Sequence, residues 1–154
     1  MEAVGEPGLR PATEADRESC FALHRAAMRP YVERLWGWDD EVQRGFHDRG
    51  FDPDRTRIIT VEGRDVGSFT VHDSPDEIYL GRIQVLPEYQ GRGIGARLIG
   101  GLLDVAAARG VPVTLDVLAV NRRAHALYRR LGFRDVKRHG DDNVKIRMRA
   151  DPPM

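Results

Sequence analysis

The chain has 154 residues, which corresponds to about one domain with enough residues for a sizeable core. Hydrophobic residues make up 41% and charged residues 31%, and 24 basic side chains balance 24 acidic ones. This composition argues against a multidomain machine and against strong nonspecific binding of nucleic acid. The single cysteine, Cys20, excludes an intrachain disulfide, and we expect a cytoplasmic protein without a signal peptide or membrane span.

The balanced total hides an uneven distribution of charge along the chain. Residues 1–81 carry 10 basic and 17 acidic side chains, whereas residues 82–138 carry 11 basic and 4 acidic ones. The positive segment is suited to attract an anionic ligand. Arginine outnumbers lysine by 22 to 2, so a bias in the coding sequence explains the excess equally well.

The first predicted elements are a short strand and two helices. Leu9 and Arg10 form the strand, and Thr13 with Asp16 three residues later is typical of a capping box that starts a helix. Apolar residues then recur at helical spacings of three and four. Because proline suits the first turn of a helix and disrupts its interior, we expect one helix to end near Met28 and the second to begin at Pro30.

The rest of the chain alternates between predicted strands and helices. β-Branched residues predict a hairpin at 57–61 and 66–72, and a third strand follows at 77–86. A helix ending near Arg109, a strand at 113–120, a helix at 121–131 and a hairpin of 133–138 with 144–148 complete the order. We predict one mixed α/β domain over residues 8–149, with a loose tail at 150–154.

The strongest local signal is a glycine-rich turn between the third strand and the next helix. Gly91, Gly93 and Gly95 alternate there, just before the helix N-terminus. Free backbone N–H groups and the helix dipole favour phosphate at such a place. The spacing departs from the G-x-G-x-x-G dinucleotide motif and from the P-loop, which weakens an assignment to NAD- or ATP-dependent enzymes. A turn that only packs tightly is the alternative.

A second pattern follows the strand at 113–120. Seven residues separate Asn121 from Tyr128, so in a helix they lie on nearly the same face, about 10 Å apart along the axis. One helix face would therefore present both side chains.

Together these two patterns resemble the GNAT superfamily of N-acetyltransferases. The family signature Gln/Arg-x-x-Gly-x-Gly/Ala reads Gln90-Gly-Arg-Gly93-Ile-Gly95 here, and the second motif is similar to Asn121, Ala124, Tyr128 and Gly132-Phe133. The resemblance covers residues 8–149. It implies the GNAT fold, with a central, mostly antiparallel mixed sheet that is splayed at the cofactor strand and flanked by about four helices.

The resemblance also implies a function. Family members move an acetyl group from acetyl-CoA to a primary amine by direct attack, so we expect an acceptor amine on a small molecule or a peptide. The alternative is a non-catalytic acyl-CoA-binding sensor or regulatory module. Homodimers are common in the family, whereas nothing predicts a nucleic-acid or membrane partner.

By the same resemblance, the donor lies against the third strand and the glycine turn. The backbone of the strand end would hold the pantetheine arm, the N–H of Val85 would polarise the thioester carbonyl, and the turn would hold the phosphates. The implied cofactor-binding residues are Gln84, Val85, Leu86, Gln90, Gly91, Arg92, Gly93, Ile94, Gly95, Ala96 and Asn121.

Two residues are candidates for proton transfer. Tyr128 matches the family's general acid, which protonates the leaving thiolate; the alternative is a tyrosine that packs in the core. Asp116 interrupts an apolar strand five residues before Asn121, and we consider it the first candidate for the general base. An ion pair with an arginine explains Asp116 equally well, and Glu77, Glu33 or water are other candidates for the base.

The acceptor half carries weaker signals. Tyr31, Glu33 and Trp38 combine aromatic faces with a carboxylate, as a site for a cationic amine requires. The five histidines show no metal-ligand spacing, so we expect no metal. They are His24, His47, His72, His125 and His139.

Overall fold

The computed structural model describes residues 6–153, and within them seven strands and four α-helices follow one another in the predicted order. The strands are β1 (Gly8–Pro11), β2 (Thr56–Val61), β3 (Arg64–Asp73), β4 (Ile78–Val85), β5 (Val113–Leu118), β6 (Arg134–His139) and β7 (Lys145–Ala150). The helices are α1 (Arg17–Trp36), α2 (Asp40–Gly50), α3 (Ile94–Arg109) and α4 (Arg122–Arg130).

The seven strands form a single mixed sheet in the order β1-β2-β3-β4-β5-β7-β6. The β1–β2, β2–β3, β5–β7 and β6–β7 pairs are antiparallel. β4 and β5 are parallel, with a register that runs from Ile78 opposite Val113 to Leu80 opposite Leu115. A parallel pair needs a crossover connection, which α3 supplies. The predicted mixed, mostly antiparallel α/β fold is confirmed.

The prediction that Pro30 separates two helices is wrong. α1 continues through Pro30 to Trp36, and the second helix begins only at Asp40. A proline inside a helix removes one backbone hydrogen bond, but buried side chains on both sides of it, Phe21 and Val32 among them, fix the helix to the core. Packing therefore outweighs the local preference of proline here.

The chain divides into two compact units, which are described separately. The first contains the chain up to Thr70 together with Arg82–Ile94. At its start, the N–H of Thr13 donates to the Asp16 carboxylate (2.9 Å), as the capping box predicts. Arg10 bonds to Asp16 and to Asp65 on β3, so the entrance to α1 is fixed by charge-assisted hydrogen bonds.

In the first unit, the backbones of β3 and β4 approach closely at Gly67. A Cβ atom added at Gly67 would lie 2.3 Å from the carbonyl oxygen of Gln84. Real Cβ contacts are never so short, so only glycine permits this approach. Gly67 thereby fixes the end of β4 from which the glycine turn leaves.

The second unit contains Val71–Gly81 and the chain from Gly95 onward. Its core is formed by fully buried apolar side chains of β5 and β7, such as Val113, Leu115, Ile146 and Met148. Ala150 is also buried and ends β7, so the loose tail predicted from residue 150 is wrong at that position. Antiparallel pairing with Val113 holds Ala150 in the sheet.

Candidate active site

The glycine turn of the first unit follows β4 directly. A short 3-10 turn at Pro87–Tyr89 comes first, then Gln90, and α3 begins at Ile94. The side-chain amide of Gln90 donates to the carbonyl of Val85 (2.8 Å), which ties the turn back to the strand end. Gly91 and Gly93 have φ angles of 77° and 81°, in the left-handed region that favours glycine.

The backbone N–H groups of this turn find no acceptor in the part of the chain that the structure describes. Within residues 6–153, the N–H groups of Gly91, Arg92 and Gly93 donate no hydrogen bond to another residue. A Cβ atom at Gly93 would meet nothing within 4 Å, so the space beside the turn is open. Open N–H groups at a helix N-terminus form an anion site, and the turn therefore fits the phosphates of a nucleotide-linked ligand.

At the end of β4, some of the predicted ligand contacts are already used within the protein. The N–H of Leu86 donates to the carbonyl of Val66 (2.8 Å), and the carbonyl of Val85 accepts from Gln90. Successive N–H groups of a strand point to opposite sides, so the N–H of Val85 points away from β3. The direction of the Val85 N–H is therefore compatible with a ligand on the side of β4 that faces away from β3.

The side chain of Gln84 belongs to a buried polar cluster that the sequence did not indicate. Its amide nitrogen lies 3.0 Å from Nδ1 of His24, while its oxygen is buried without a partner in the described chain. Burial, together with the charge of Arg82, lowers the pKa of His24 to about 4, so this imidazole is neutral near pH 7. His47 is buried beside it, with the two ring centroids 6.2 Å apart.

In the second unit, Tyr128 lies on α4 and is 9% exposed. Its ring contacts the edge of Phe133, with centroids 5.9 Å apart. Its hydroxyl makes no hydrogen bond within residues 6–153, and burial raises its pKa to about 12. Tyr128 therefore holds a neutral hydroxyl whose proton is available to a ligand.

Asn121 precedes α4 and caps it, because its side-chain oxygen accepts from the N–H of Ala124 (3.2 Å). One turn further along, Nε2 of His125 lies 2.7 Å from Oδ1 of Asp135, and Arg129 binds the other oxygen of Asp135. The cap thus sets the start of α4, and these contacts connect the helix to β6.

Asp116 lies at the centre of a polar cluster on the strands of the second unit. Its carboxylate accepts from Nε and Nη2 of Arg147 (2.8 and 3.0 Å), from the hydroxyl of Tyr79 (2.8 Å) and from Nε2 of His139 (2.6 Å). We call these four residues the Asp116 cluster. The β5–β7 register explains its core, since Asp116 and Arg147 are direct cross-strand partners.

These contacts bear on the expectation that Asp116 is the general base. Partial burial alone would raise the pKa of Asp116, but the hydrogen bonds from Arg147, Tyr79 and His139 lower it to about 2. A carboxylate has about four sites for hydrogen bonds, and four donors already occupy them. Asp116 is therefore better suited to hold its neighbours than to accept a proton from an amine.

The residues expected to bind the acceptor are exposed or half-buried in the first unit. Glu33 forms an ion pair with Arg29 (3.0 Å), and the same arginine lies over the ring of Trp38, 5.9 Å from its centroid. The indole N–H of Trp38 donates to Asp40 (3.2 Å). The protein's own Arg29 thus contacts both groups that were expected to recognise a cationic amine, and Tyr31 is half-buried on the same helix.

Comparison with known families identifies the family of the chain. The model of the acetyltransferase (GNAT) family matches residues 17–133 of the chain, which include the glycine turn and α4. This chain belongs to the GNAT family of acetyltransferases. Its sequence is 34% identical over 138 residues to a mycothiol acetyltransferase of Beutenbergia cavernae, a match that covers 86% of this chain and 46% of that protein.

Two solved structures show the GNAT fold over nearly the whole chain. The ribosomal-protein-S18-alanine N-acetyltransferase of Escherichia coli is 25% identical, with a TM-score of 0.67 and coverage of 96% of this chain and 95% of that one. A PaiA N-acetyltransferase of Thermoplasma acidophilum, in complex with coenzyme A, is 14% identical, with a TM-score of 0.76 and coverage of 95% and 99%. The chain spans less than half the length of the first curated relatives that it matches.

Neither a metal-binding cluster nor a membrane-spanning helix occurs in the part of the chain that the structure describes. Residues 6–153 contain no group of three or more histidine, cysteine or acidic side chains that could hold a metal ion. None of the helices in that range is long and apolar enough to cross a membrane.

Proposed function

We propose that this GNAT protein transfers an acetyl group from acetyl-CoA to a primary amine of a small molecule or peptide. The observation that carries the proposal is the glycine turn, whose N–H groups at Gly91, Arg92 and Gly93 are open toward a phosphate-bearing ligand. Membership of the family and the relatives named as acetyltransferases support it.

Different residues of the chain would bind different parts of the donor. The turn would hold the phosphates, with Gln90 fixing its shape and the positive end of α3 adding to the attraction for negative charge. The N–H of Val85 would donate to the thioester oxygen and stabilise the charge that develops there. When bound, acetyl-CoA supplies an acyl group on a sulfur leaving group.

Tyr128 would act as the general acid. The acceptor nitrogen forms the new bond to the carbonyl carbon, the carbon–sulfur bond breaks, and Tyr128 gives its proton to the sulfur. The proton still carried by the acylated nitrogen then restores the hydroxyl of Tyr128. A raised pKa keeps this hydroxyl protonated until the thiolate forms.

The acceptor is proposed by class only. Tyr31 and Trp38 are retained as proposed contacts of the amine, whereas Glu33 would have to give up its ion pair with Arg29 to take that role. The E. coli neighbour is named for the alanine of a ribosomal protein and the Beutenbergia relative for mycothiol, so both peptide and small-molecule amines belong in a test.

The experiment is a measurement of thiol release from acetyl-CoA with a panel of amines. The panel contains an alanine-initiated peptide, L-lysine, spermidine and an aminoglycoside, and a thermal shift with acetyl-CoA is recorded in parallel. Turnover above the rate without amine supports the proposal. A thermal shift without turnover of any amine favours the sensor function, and the absence of both contradicts the proposal.

A further inference from the structure

Arg82 on β4 is a half-buried cation of the first unit that has no counter-ion in the described chain. Within residues 6–153 its guanidinium forms no hydrogen bond and no ion pair with a carboxylate. Other arginines of the same unit do form ion pairs with carboxylates, among them Arg10, Arg17, Arg25, Arg29 and Arg44. Burial lowers the pKa of Arg82, but a guanidinium keeps its charge in a protein. The first unit therefore holds a positive charge that its own residues do not neutralise.

The strand and helix faces around Arg82 place it beside the buried polar cluster of His24, His47 and Gln84. The alternation of β4 puts Arg82 and Gln84 on the same face of the strand. That face meets α1, because the amide nitrogen of Gln84 lies 3.0 Å from Nδ1 of His24. After burial, the charge of Arg82 is the next cause of the lowered pKa values of His24 and, on α2, of His47. The unpaired cation and the polar cluster thus form one site within the first unit.

Three polar atoms of this cluster are buried without a hydrogen-bond partner in the described chain. They are Oε1 of Gln84 and both ring nitrogens of His47, in side chains of residues that are 8% and 2% exposed. The carboxylate of Asp48 is 3.7 Å from Nδ1 of His47, which is too far for a hydrogen bond. Leaving a buried polar atom unsatisfied costs stability, so proteins rarely do so without a reason. A polar ligand beside Arg82 would supply that reason.

The orientation of the Gln84 amide determines which ligand groups fit. An amide nitrogen only donates, so Nδ1 of His24 accepts from it and the ring hydrogen is on Nε2, which faces Oε1 of Gln43 at 3.5 Å. Oε1 of Gln84 is therefore turned away from His24 and requires a donor. A ligand that fits this site carries an anionic group for Arg82 and an N–H group for Gln84. An amino acid has both groups on neighbouring atoms.

We propose that Arg82 binds the carboxylate of the acceptor, and that the acceptor is an amino acid. This inference rests on the function proposed above and narrows its acceptor class. The planar guanidinium donates two parallel hydrogen bonds to a carboxylate, while Oε1 of Gln84 accepts from an N–H of the same molecule. Gln84 directly precedes Val85, whose N–H is the proposed donor to the thioester oxygen, and Trp38 lies beside His24 with ring centroids 6.0 Å apart. The carboxylate takes no part in the bond changes of the transfer.

The experiment compares amines that differ only by a carboxylate. L-Lysine is paired with cadaverine, and L-alanine with ethylamine, in the thiol-release assay. The proteins are wild type, Arg82→Met and Arg44→Met, the last being a matched control because Arg44 is an arginine of the same unit that is paired with Glu18 (2.6 Å). A charge-assisted hydrogen bond corresponds to about a 10- to 100-fold preference in kcat/KM. We expect this preference for an amino acid in wild type and Arg44→Met, mainly through KM, and its loss in Arg82→Met.

Stability measurements separate ligand binding from a structural role of Arg82. A half-buried charge without a partner is unfavourable, so an uncharged side chain of similar length should leave the free energy of unfolding at or above the wild-type value. Urea denaturation of Arg82→Met tests this, and a clear loss of stability would overturn the assignment. Arg82→Lys keeps the charge without the planar fork, and we expect it to retain only part of the preference.

Calorimetry with L-lysine and L-alanine, in the presence of coenzyme A, tests the site without turnover. We expect wild type and Arg44→Met to bind at least one of them, and Arg82→Met to bind it about 10-fold more weakly or less. Turnover without preference for a carboxylate, or loss of acetyl-CoA affinity in Arg82→Met, would overturn the carboxylate site and leave the acetyl transfer intact. A wild-type protein that acetylates no amine would overturn the proposed function, and absence of amino-acid binding in calorimetry would then overturn the site as well.

Discussion

The glycine turn and the Asp116 cluster differ in whether neighbouring residues satisfy the hydrogen bonds of their polar groups. In the turn, the N–H groups of Gly91, Arg92 and Gly93 have no acceptor within the described chain, and the space beside Gly93 is open. In the cluster, every hydrogen-bond site of the Asp116 carboxylate is used by a neighbouring side chain. Polar groups that the protein leaves open are prepared for a ligand, and groups that it satisfies internally hold other residues in place.

The same contrast separates Tyr128 from Asp116, the two residues expected to transfer protons. Tyr128 resembles the turn in this respect, since its side chain is largely buried and its hydroxyl makes no hydrogen bond within residues 6–153. Asp116 is a charged residue in an apolar strand, which drew attention in the sequence, but its charge is balanced by Arg147. Within residues 6–153, the atom of the cluster that makes no hydrogen bond is Nδ1 of His139.

The largest expected effect is on stability and concerns the close approach of β3 and β4 at Gly67. Replacing Gly67 by alanine forces a Cβ atom against the carbonyl of Gln84, so we expect a loss of about 3 kcal/mol in the free energy of unfolding, at the upper end for overpacked sites. Gly100 lies on α3, and a Cβ atom added there would meet nothing within 4 Å. Gly100→Ala should therefore stabilise the protein by about 0.5–1 kcal/mol. Urea denaturation measures both. Equal stability of the two variants would show that β3 and β4 do not approach as described.

The next largest effect is on the rate and concerns the hydroxyl of Tyr128, which makes no hydrogen bond within residues 6–153. Tyr128→Phe removes the proposed acid without changing the shape of the ring, and we expect the rate of thiol release to fall about 100-fold. The thermal shift with acetyl-CoA should stay at the wild-type value, because the turn that would bind the phosphates is unchanged. A wild-type rate in Tyr128→Phe would remove this residue from the mechanism.

The Asp116 cluster should make the free energy of unfolding depend on pH. The pKa of Asp116 is about 2 in the folded protein, against about 3.9 in an unfolded chain. Its ion pair therefore stabilises the fold fully above pH about 4, and this contribution of about 2 kcal/mol is lost as the pH falls toward 2. Thermal melts of wild-type and Asp116→Asn proteins should accordingly differ near pH 7 and converge near pH 2. A constant difference over that range would contradict the depressed pKa.

The smallest effect compares two glycines with similar positive φ angles. Gly93 in the turn and Gly63 between β2 and β3 have φ angles of 81° and 78°, and a Cβ atom would meet nothing at either position. Alanine at either site should cost about 1–2 kcal/mol of stability, the ordinary penalty of the left-handed region. Only Gly93→Ala should also weaken the binding of acetyl-CoA, measured by calorimetry. Equal affinities in the two variants would argue that the turn does not bind the donor.

The turn could be predicted from the sequence because its requirements are local. Positive φ angles at Gly91 and Gly93 and the start of α3 at Ile94 depend on residues within a few positions of one another. Motif spacing captures such features directly. The order of the strands and helices was accessible for the same reason, since each is encoded by its own hydrophobic pattern.

The surroundings of Asp116 could not be predicted in this way. Its partners Tyr79, His139 and Arg147 are 37, 23 and 31 residues away in sequence, and they meet only through the pairing of separate strands. The β5–β7 register, which places Arg147 opposite Asp116, is the information that was missing. The uninterrupted α1 shows the same limit, because distant packing overrides the local effect of Pro30.

The central claim is that the chain moves an acetyl group from acetyl-CoA to an amine. The most direct test incubates the protein with acetyl-CoA carrying a ¹³C-labelled acetyl group and the amine panel, and follows the products by mass spectrometry. We predict that the label appears as an amide on one of the amines and that Tyr128→Phe slows its appearance. Labelled acetate without labelled amide, or acetyl-CoA left unchanged with every amine, would contradict the account.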